Sequence, residues 1–353
     1  MPWVDKQGGF LIGDRNEDEA RRAIREDCLG CLLYATPTAF ERPFITQIEI
    51  PTAFERLSAD AGFLIVTVPR KISFAELAAK SKEAFSFNLA EHHCIPVSDD
   101  SLADGFAKVA RETLVKLVCG HSVQATDRVR IQYSTREILP GGGGELLCID
   151  GRSVYTADGF VVWDDLLSGL HDVKSAISSA FGRPRIIVDG SKHLSSAFLF
   201  GRVFQPFPLE IRQTAADYWL TTGPPAPLQL DVTSDLKSCE ELIVTVASGR
   251  KALHAVAVQT VNITNASWLR ISPQGGRFNL TADSSRWLAD AVYAHIDEAV
   301  SKASPSRIHL FMAIPQATAM TLGQKFAGTP DTIVYDWKGN GYDKGRLVPR
   351  GVL

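Results

Sequence analysis

Residues 185–204 read RIIVDGSKHLSSAFLFGRVF, and residues 307–326 read RIHLFMAIPQATAMTLGQKF. The two align without a gap at an offset of 122 (307 − 185 = 122), with Arg185/Arg307, Ile186/Ile308, Ala197/Ala319, Gly201/Gly323 and Phe204/Phe326 identical. Each copy opens on an apolar run of strand length, passes through a short polar loop, and continues into a stretch spaced like a helix. An amphipathic helix precedes each copy, LLSGLHDVKSAISSAF at 166–181 and LADAVYAHIDEAVSKA at 288–303, again 122 apart (288 − 166 = 122). A run ending in tryptophan, Trp219 or Trp337, follows each copy. Helix, strand, tight loop, helix, strand therefore occurs twice, which is the grammar of two similar α/β units in one chain. The matched glycines predict close packing of helix on sheet. The second unit carries a further buried strand, ELIVTVASG at 241–249, ending in Ser248-Gly249.

Working toward the N-terminus, YSTREILPGGGGELLCID (133–150) contains Pro140 and glycines 141–144 and predicts a linker or hairpin. Four glycines without a following Lys-Ser/Thr do not make a phosphate loop. Before it, the strand-like runs CLLYAT, GFLIVTVP and HHCIPVS alternate with helix-like segments, so residues 1 to about 120 predict a separate parallel α/β sheet. The letters PTAFER occur twice, at 37–42 and 51–56. A single echo 14 residues apart (51 − 37 = 14) is no solenoid repeat, whose period runs to about 20–50 residues. The first copy closes a strand and the second sits in a helix.

Composition sets outer limits. A chain of 353 residues, 45% hydrophobic, is long enough for two or three cores. A net charge of −3 lacks the broad basic face of a long-nucleic-acid or membrane-surface binder. The opening MPWVDKQGGF has neither the basic nor the apolar part of a secretory signal, and no apolar run reaches membrane-spanning length, so the expected location is cytoplasmic. Six scattered cysteines make no disulfide framework, and Cys28-Leu-Gly-Cys31 is a single knuckle where structural zinc sites pair two, so no metal is expected.

In open α/β sheets, ligands bind beyond the carboxyl ends of the strands, at loops and helix N-termini. Those loops are Asp189-Gly190-Ser191-Lys192-His193 and Ala313-Ile314-Pro315-Gln316, and two pseudo-symmetric units would bring them together across one cleft. Lys192 then offers a charge to phosphate, and Trp219 or Tyr335 a face for a base. The alternative is an ordinary loop with Lys192 solvated and Trp219 in the core.

The residues SRIHLFMAIPQATAMTLGQKF, DTIVYDW and GY, with the partner stretch IIVDGSKHLSSAFLFG and YW, resemble the SAVED domain, a cyclic-oligonucleotide sensor of bacterial anti-phage signalling (CBASS). The resemblance covers about residues 145–353. It implies two fused Rossmann-like (CARF-like) halves, and a cyclic tri- or tetranucleotide bound between them as activator. Carried onto this sequence, the ligand-contacting set is Ser191, Lys192, His193, Trp219, Ser248, Pro315, Gln316 and Tyr335.

The stretch DCLGCLLYATPTAFERPFITQIEIPTAF (27–54) resembles the centre of TIR domains, a flavodoxin-like parallel sheet in which a helix carries a catalytic glutamate. That resemblance puts the glutamate on Glu49 and implies an NAD+ hydrolase: NAD+ is the substrate, no cofactor is needed, and a carboxylate beside the ribose steadies the oxocarbenium-like cation. Trp3, Asp5 and Gly13 then border the NAD+ pocket. The TIR pattern begins with a strand and helix for which this sequence has no match, so the TIR-like part is expected to be incomplete at its N-terminus. The expected layout is a TIR-like effector at 1–122, a linker at 123–144 and the SAVED domain at 145–353, with self-association when ligand binds. Two rivals stay open: a nuclease effector, for which no Asp…Glu-x-Lys grouping is present, and a non-catalytic sensor or scaffold. Glu49 has its own alternative, as N3 of a capping box with Thr46 at N-cap.

Overall fold

The computed structural model describes residues 16–28, 30–60, 62–97, 102–120, 127–136, 147–152, 155–156, 159–160, 163–214, 217–249, 253–274 and 280–351. Trp3, Asp5 and Gly13 lie outside these residues. The chain divides into one unit of residues 1–125 with 175–182 and a second of residues 126–174 with 183–353.

In the first unit the elements run α1 (Asn16–Arg22), β1 (Gly30–Ala35), α2 (Ile50–Ala59), β2 (Leu64–Pro69), α3 (Phe74–Phe85), β3 (His93–Cys94) and α4 (Leu102–Gly120). The strands pair in parallel in the order β1-β2-β3, with Cys31 opposite Ile65 and Val66 opposite His93. The helices fall where the apolar spacing places them, and α3 starts on a capping box between Ser73 and Glu76. The two PTAFER copies differ as expected: the first forms a turn and a short 3-10 segment, the second lies in α2.

A π turn, Ile45–Glu49, precedes α2, and Pro51 occupies the second position of that helix. Proline has no N–H to donate, and a widened turn ahead of it removes the bond an α-helix would demand there. This geometry corrects the capping-box alternative for Glu49. The Thr46 hydroxyl donates back to the Arg42 carbonyl at 3.0 Å, and the turn's N-cap is Phe44, with no side-chain cap.

The second unit contains β4 (Arg128–Ser134), β5 (Leu147–Asp150), a small hairpin of β6 (Tyr155–Thr156) and β7 (Gly159–Phe160), and most of α5 (Trp163–Phe181). It continues through β8 (Arg185–Asp189), α6 (Leu194–Val203), β9 (Leu209–Arg212), β10 (Tyr218–Leu220) and β11 (Leu230–Asp235). Its last part is β12 (Glu241–Ala247), α7 (Leu253–Val261), β13 (Ser267–Pro273), α8 (Ala282–Ala303), β14 (Arg307–Ala313), α9 (Gln316–Lys325), β15 (Asp331–Tyr335) and β16 (Arg346–Val348). Two sheets result, β10-β9-β8-β4-β5 and β11-β13-β12-β14-β15-β16. Laid side by side they repeat: an antiparallel outer pair, then parallel pairs through β9-β8-β4-β5 in one and β15-β14-β12-β13 in the other. The internal repeat is thus a duplicated sheet, and β11 is an added edge.

Two readings change. The segment read as linker holds β4, an inner strand whose Val129, Ile131 and Tyr133 are buried. Arg128 and Arg130 disguise it in the sequence, and Arg130 is accommodated by Asp189 at 2.8 Å and the Tyr218 hydroxyl at 3.2 Å. The matched glycines serve a helix–helix contact rather than helix on sheet. A Cβ on Gly201 would lie 1.9 Å from the Met320 carbonyl oxygen, and one on Gly323 would lie 2.1 Å from that of Phe198. Met320 and Phe198 are themselves repeat mates (320 − 198 = 122), so α6 and α9 cross as pseudo-symmetric equivalents. Both are buried nearly all round, as helices between two layers must be. Among the described residues no helix is long and apolar enough to cross a membrane.

Candidate ligand cleft

The site begins at the end of β8. Gly190 takes φ +92°, where a Cβ would sit 2.3 Å from the Tyr133 carbonyl, so the chain can turn only with glycine here. The turn hands Ser191 to β4: its carbonyl accepts from the N–H groups of Thr135 at 3.0 Å and Arg136 at 3.1 Å. His193 follows as N-cap of α6, with its N–H on Thr135 Oγ1 at 2.9 Å, its Nδ1 3.1 Å from the same oxygen, and Tyr155 stacked on its ring at 3.5 Å. Burial and the neighbouring Arg136 hold the His193 imidazole down to about 4, so it is neutral at physiological pH.

The two halves then cap each other. Ser195 and Ala317 are the second residues of α6 and α9 and repeat mates (317 − 195 = 122). The Ser195 N–H donates to Asp336 Oδ1 at 3.1 Å, and the Ala317 N–H to Gln213 Oε1 at 3.2 Å. Asp336 follows β15 and Gln213 follows β9, so each helix N-terminus is capped from the other half's sheet. Gln316 adds a cross-link: its Oε1 accepts from the Lys192 N–H at 3.2 Å and its Nε2 donates to the Arg212 carbonyl at 2.9 Å. These orphan N–H groups at helix starts need partners, and the duplicated sheet supplies them in trans.

Above this seam lies a cavity of about 1080 Å³. Arg136, Tyr155, Ser191, Lys192 and His193 line it from the first half, and Ile314, Gln316, Asp336, Trp337 and Lys338 from the second, with Gln213 at the junction. Arg136 and Lys338 are exposed cations, and Trp337 is 36% exposed. The polar groups converge on a concave surface with one open aromatic face, the composition that binds an anionic ligand carrying flat rings.

The expected residues divide. Ser191, Lys192, His193 and Gln316 line the cavity, and Pro315 stands between two lining residues as N-cap of α9. Lys192 corrects both of its readings: it is 3% exposed, so neither solvated nor a free charge for phosphate. Its ammonium donates to the carbonyls of Asp189 at 2.8 Å and Gly190 at 2.6 Å, and burial pushes it down to about 7 against the pull of Asp189. Trp219 is 7% exposed on β10 with its indole N–H on Asp217, away from the cavity lining. Ser248 donates its hydroxyl to the Ala313 carbonyl at 3.1 Å. Tyr335 is buried, 2.8 Å from His309 Nδ1, and borders a smaller cavity of about 430 Å³. Arg136, Tyr155, Gln213, Asp336, Trp337 and Lys338 were missed. Trp337 alone carried a signal, as the tryptophan that closes the second repeat.

Replacing Lys192 with methionine should lower stability by about 1–3 kcal/mol, because two buried carbonyls lose their donor. Chemical denaturation of the full chain measures it, and an unchanged midpoint would contradict the buried geometry.

Residues 170–345 match the family model described as SAVED, the SMODS-associated and fused to various effectors sensor domain, which identifies this region as a SAVED domain. No curated protein matches the sequence. Among solved structures, the Acinetobacter baumannii Cap4 SAVED/CARF-domain containing receptor with the cyclic trinucleotide 2'3'3'-cAAA aligns at a TM-score of 0.54 and 15% identity. The alignment covers 92% of this chain and 88% of that one. The same receptor with 3'3'3'-cAAA aligns at a TM-score of 0.53 and 15% identity, covering 91% and 87%. At that identity the likeness is one of fold.

Proposed function

With a SAVED sensor domain over residues 170–345 as the premise, we propose that the cleft of the second unit binds a cyclic oligonucleotide and that the chain is a CBASS-type receptor. One observation carries this reading: a single cavity of about 1080 Å³ is walled by equivalent loops from both halves of a duplicated sheet. That volume lies just above the roughly 300–1,000 Å³ usual for small-molecule pockets, suited to a ring of several nucleotides. A ring of repeating units also presents similar groups to similar walls. The Cap4 receptors of the same fold hold cyclic trinucleotides, which makes three bases the expected size. Arg136 and Lys338 take phosphates, and Trp337 stacks a base.

Calorimetry on the full chain with cyclic di- to hexanucleotides tests the reading, with saturable heat expected from a cyclic triadenylate. Trp337→Ala should weaken binding by about 1–3 kcal/mol, the worth of one stacked base. No heat from any ring would refute the receptor.

The first unit supplies the response, and its proposed chemistry is cleavage of NAD+ at the nicotinamide–ribose bond by Glu49. Support comes from the parallel order β1-β2-β3 and from Glu49 itself, half-buried at the end of the π turn. Its charge is felt by Cys31, whose thiol is pushed up to about 12, chiefly by burial. Ligand binding would drive association by favouring the assembled form over the free chain. The same electrostatic proximity favours a second reading, a non-catalytic scaffold. Cys31 is the second residue of β1, near its amino end, whereas ligands in open α/β sheets bind past the carboxyl ends.

A further inference from the structure

The two capping residues that face the cleft differ in charge. Gln213 caps α9 with a neutral amide, whereas Asp336 caps α6 with a carboxylate. Asp336 is 4% exposed, and both its oxygens are engaged by Ser195, Oδ1 by the N–H and Oδ2 by the hydroxyl. A second carboxylate stands behind it, since Asp343 Oδ1 accepts the Asp336 N–H at 3.1 Å. From the other elements, the N–H groups of Leu194 and Ser195 bond to it and the phenols of Tyr133 and Tyr155 feel its charge, while Arg136, Lys192, His193 and Lys338 line the same cavity. Burial, helped by Asp343, raises its carboxyl to about 6 against the hydrogen bonds from Ser195. A negative group thus already sits where the N-terminus of α6 meets a cleft otherwise suited to anions.

We infer that Asp336 is the residue that sets ligand selectivity in this cleft: while charged it rejects phosphate at the α6 end, and an anionic ligand enters with uptake of one proton from solvent onto its carboxyl. This rests on the cyclic-oligonucleotide reading and adds its regulation. The proton is gained because a bound polyanion favours the neutral acid. Above pH 6 the affinity then falls, by at most tenfold per pH unit, until the carboxyl of the bound form also ionises. Gln213, a neutral amide, imposes no such cost at the α9 end.

The test is calorimetry on the full chain at pH 6–8, in buffers of differing ionisation heat, with a cyclic triadenylate and, in parallel, inorganic tripolyphosphate. Lys192 lines the same cavity with its ammonium held at about 7, so it takes up proton in both proteins and the difference between them reports Asp336. Asp336→Asn keeps an acceptor for the Ser195 N–H, and it should take up close to one proton fewer per ligand than wild type at pH 7 and bind both probes at least tenfold more tightly than wild type at pH 8. Equal proton counts in the two proteins, or weaker binding by a normally melting Asn variant, would overturn the inference. If no cyclic oligonucleotide binds, the receptor reading fails by itself. Tripolyphosphate still decides Asp336, because tighter binding by the variant upholds the inference and equal or absent binding overturns it.

Discussion

Gly201→Ala will destabilise the second unit by on the order of 3 kcal/mol or more, at the upper end of the range for overpacking a core. The added Cβ would lie 1.9 Å from the Met320 carbonyl oxygen, 2.7 Å from its carbonyl carbon and 2.9 Å from its Cα. All three atoms are backbone, so no side chain can swing aside and the helices themselves must part. Parting α6 from α9 loosens Phe198, Phe200, Leu322 and Met320, each fully buried. It also pulls apart the cross-caps at the cleft, so ligand affinity should fall with stability. The repeat predicts the same for Gly323→Ala, whose Cβ would meet the Phe198 carbonyl oxygen at 2.1 Å and the Arg202 nitrogen at 3.0 Å. Gly169 is the control, being inside α5 with nothing within 4 Å of where a Cβ would stand. Gly169→Ala should stabilise by roughly 0.5–1 kcal/mol, because alanine gives up less backbone freedom in a helix. Denaturant midpoints of the three variants measure the contrast, and a Gly201→Ala protein within about 1 kcal/mol of wild type would show that α6 and α9 do not cross this closely.

Glu49→Gln is expected to reduce ligand-stimulated nicotinamide release from NAD+ by on the order of 10² or more, the worth of a positioned charge facing a cationic transition state. The melting temperature should stay within the scatter of a neutral surface change. Stability is spared because Glu49 closes no capping box: the Thr46 hydroxyl donates to the Arg42 carbonyl. The glutamine is nearly isosteric, and it removes a charge that helps raise the Cys31 thiol. The scaffold reading predicts instead that wild type releases no nicotinamide at saturating ligand, with Glu49→Gln identical to it. High-performance chromatography of the reaction products separates the two outcomes. Light scattering on the same samples shows whether ligand drives assembly.

The order of elements and the duplication were legible in the sequence, because both arise from local periodicity and from letters that match at a constant offset. The repeat of 185–204 at 307–326 became two sheets with the same strand order, and the alternation in residues 30–97 became three parallel strands. The loops at 189–193 and 313–316 were placed at a shared cleft for the same reason, since strand ends in an α/β sheet follow from the alternation itself. What the sequence did not disclose lies in pairings across long separations. Lys192 reads as a solvated charge until the turn at Gly190 folds its ammonium onto two carbonyls. Arg130 hides a central strand until Asp189, 59 positions away, neutralises it. Asp336 and Gln213 have no local signature as caps, because the helices they cap lie 141 and 104 positions away. A helix start announces that its N–H groups need acceptors, but which acceptor arrives depends on how two sheets are set around a pair of crossing helices. That setting is decided by the close approach at Gly201 and Gly323, and so the charge that guards the cleft belongs to the tertiary structure alone.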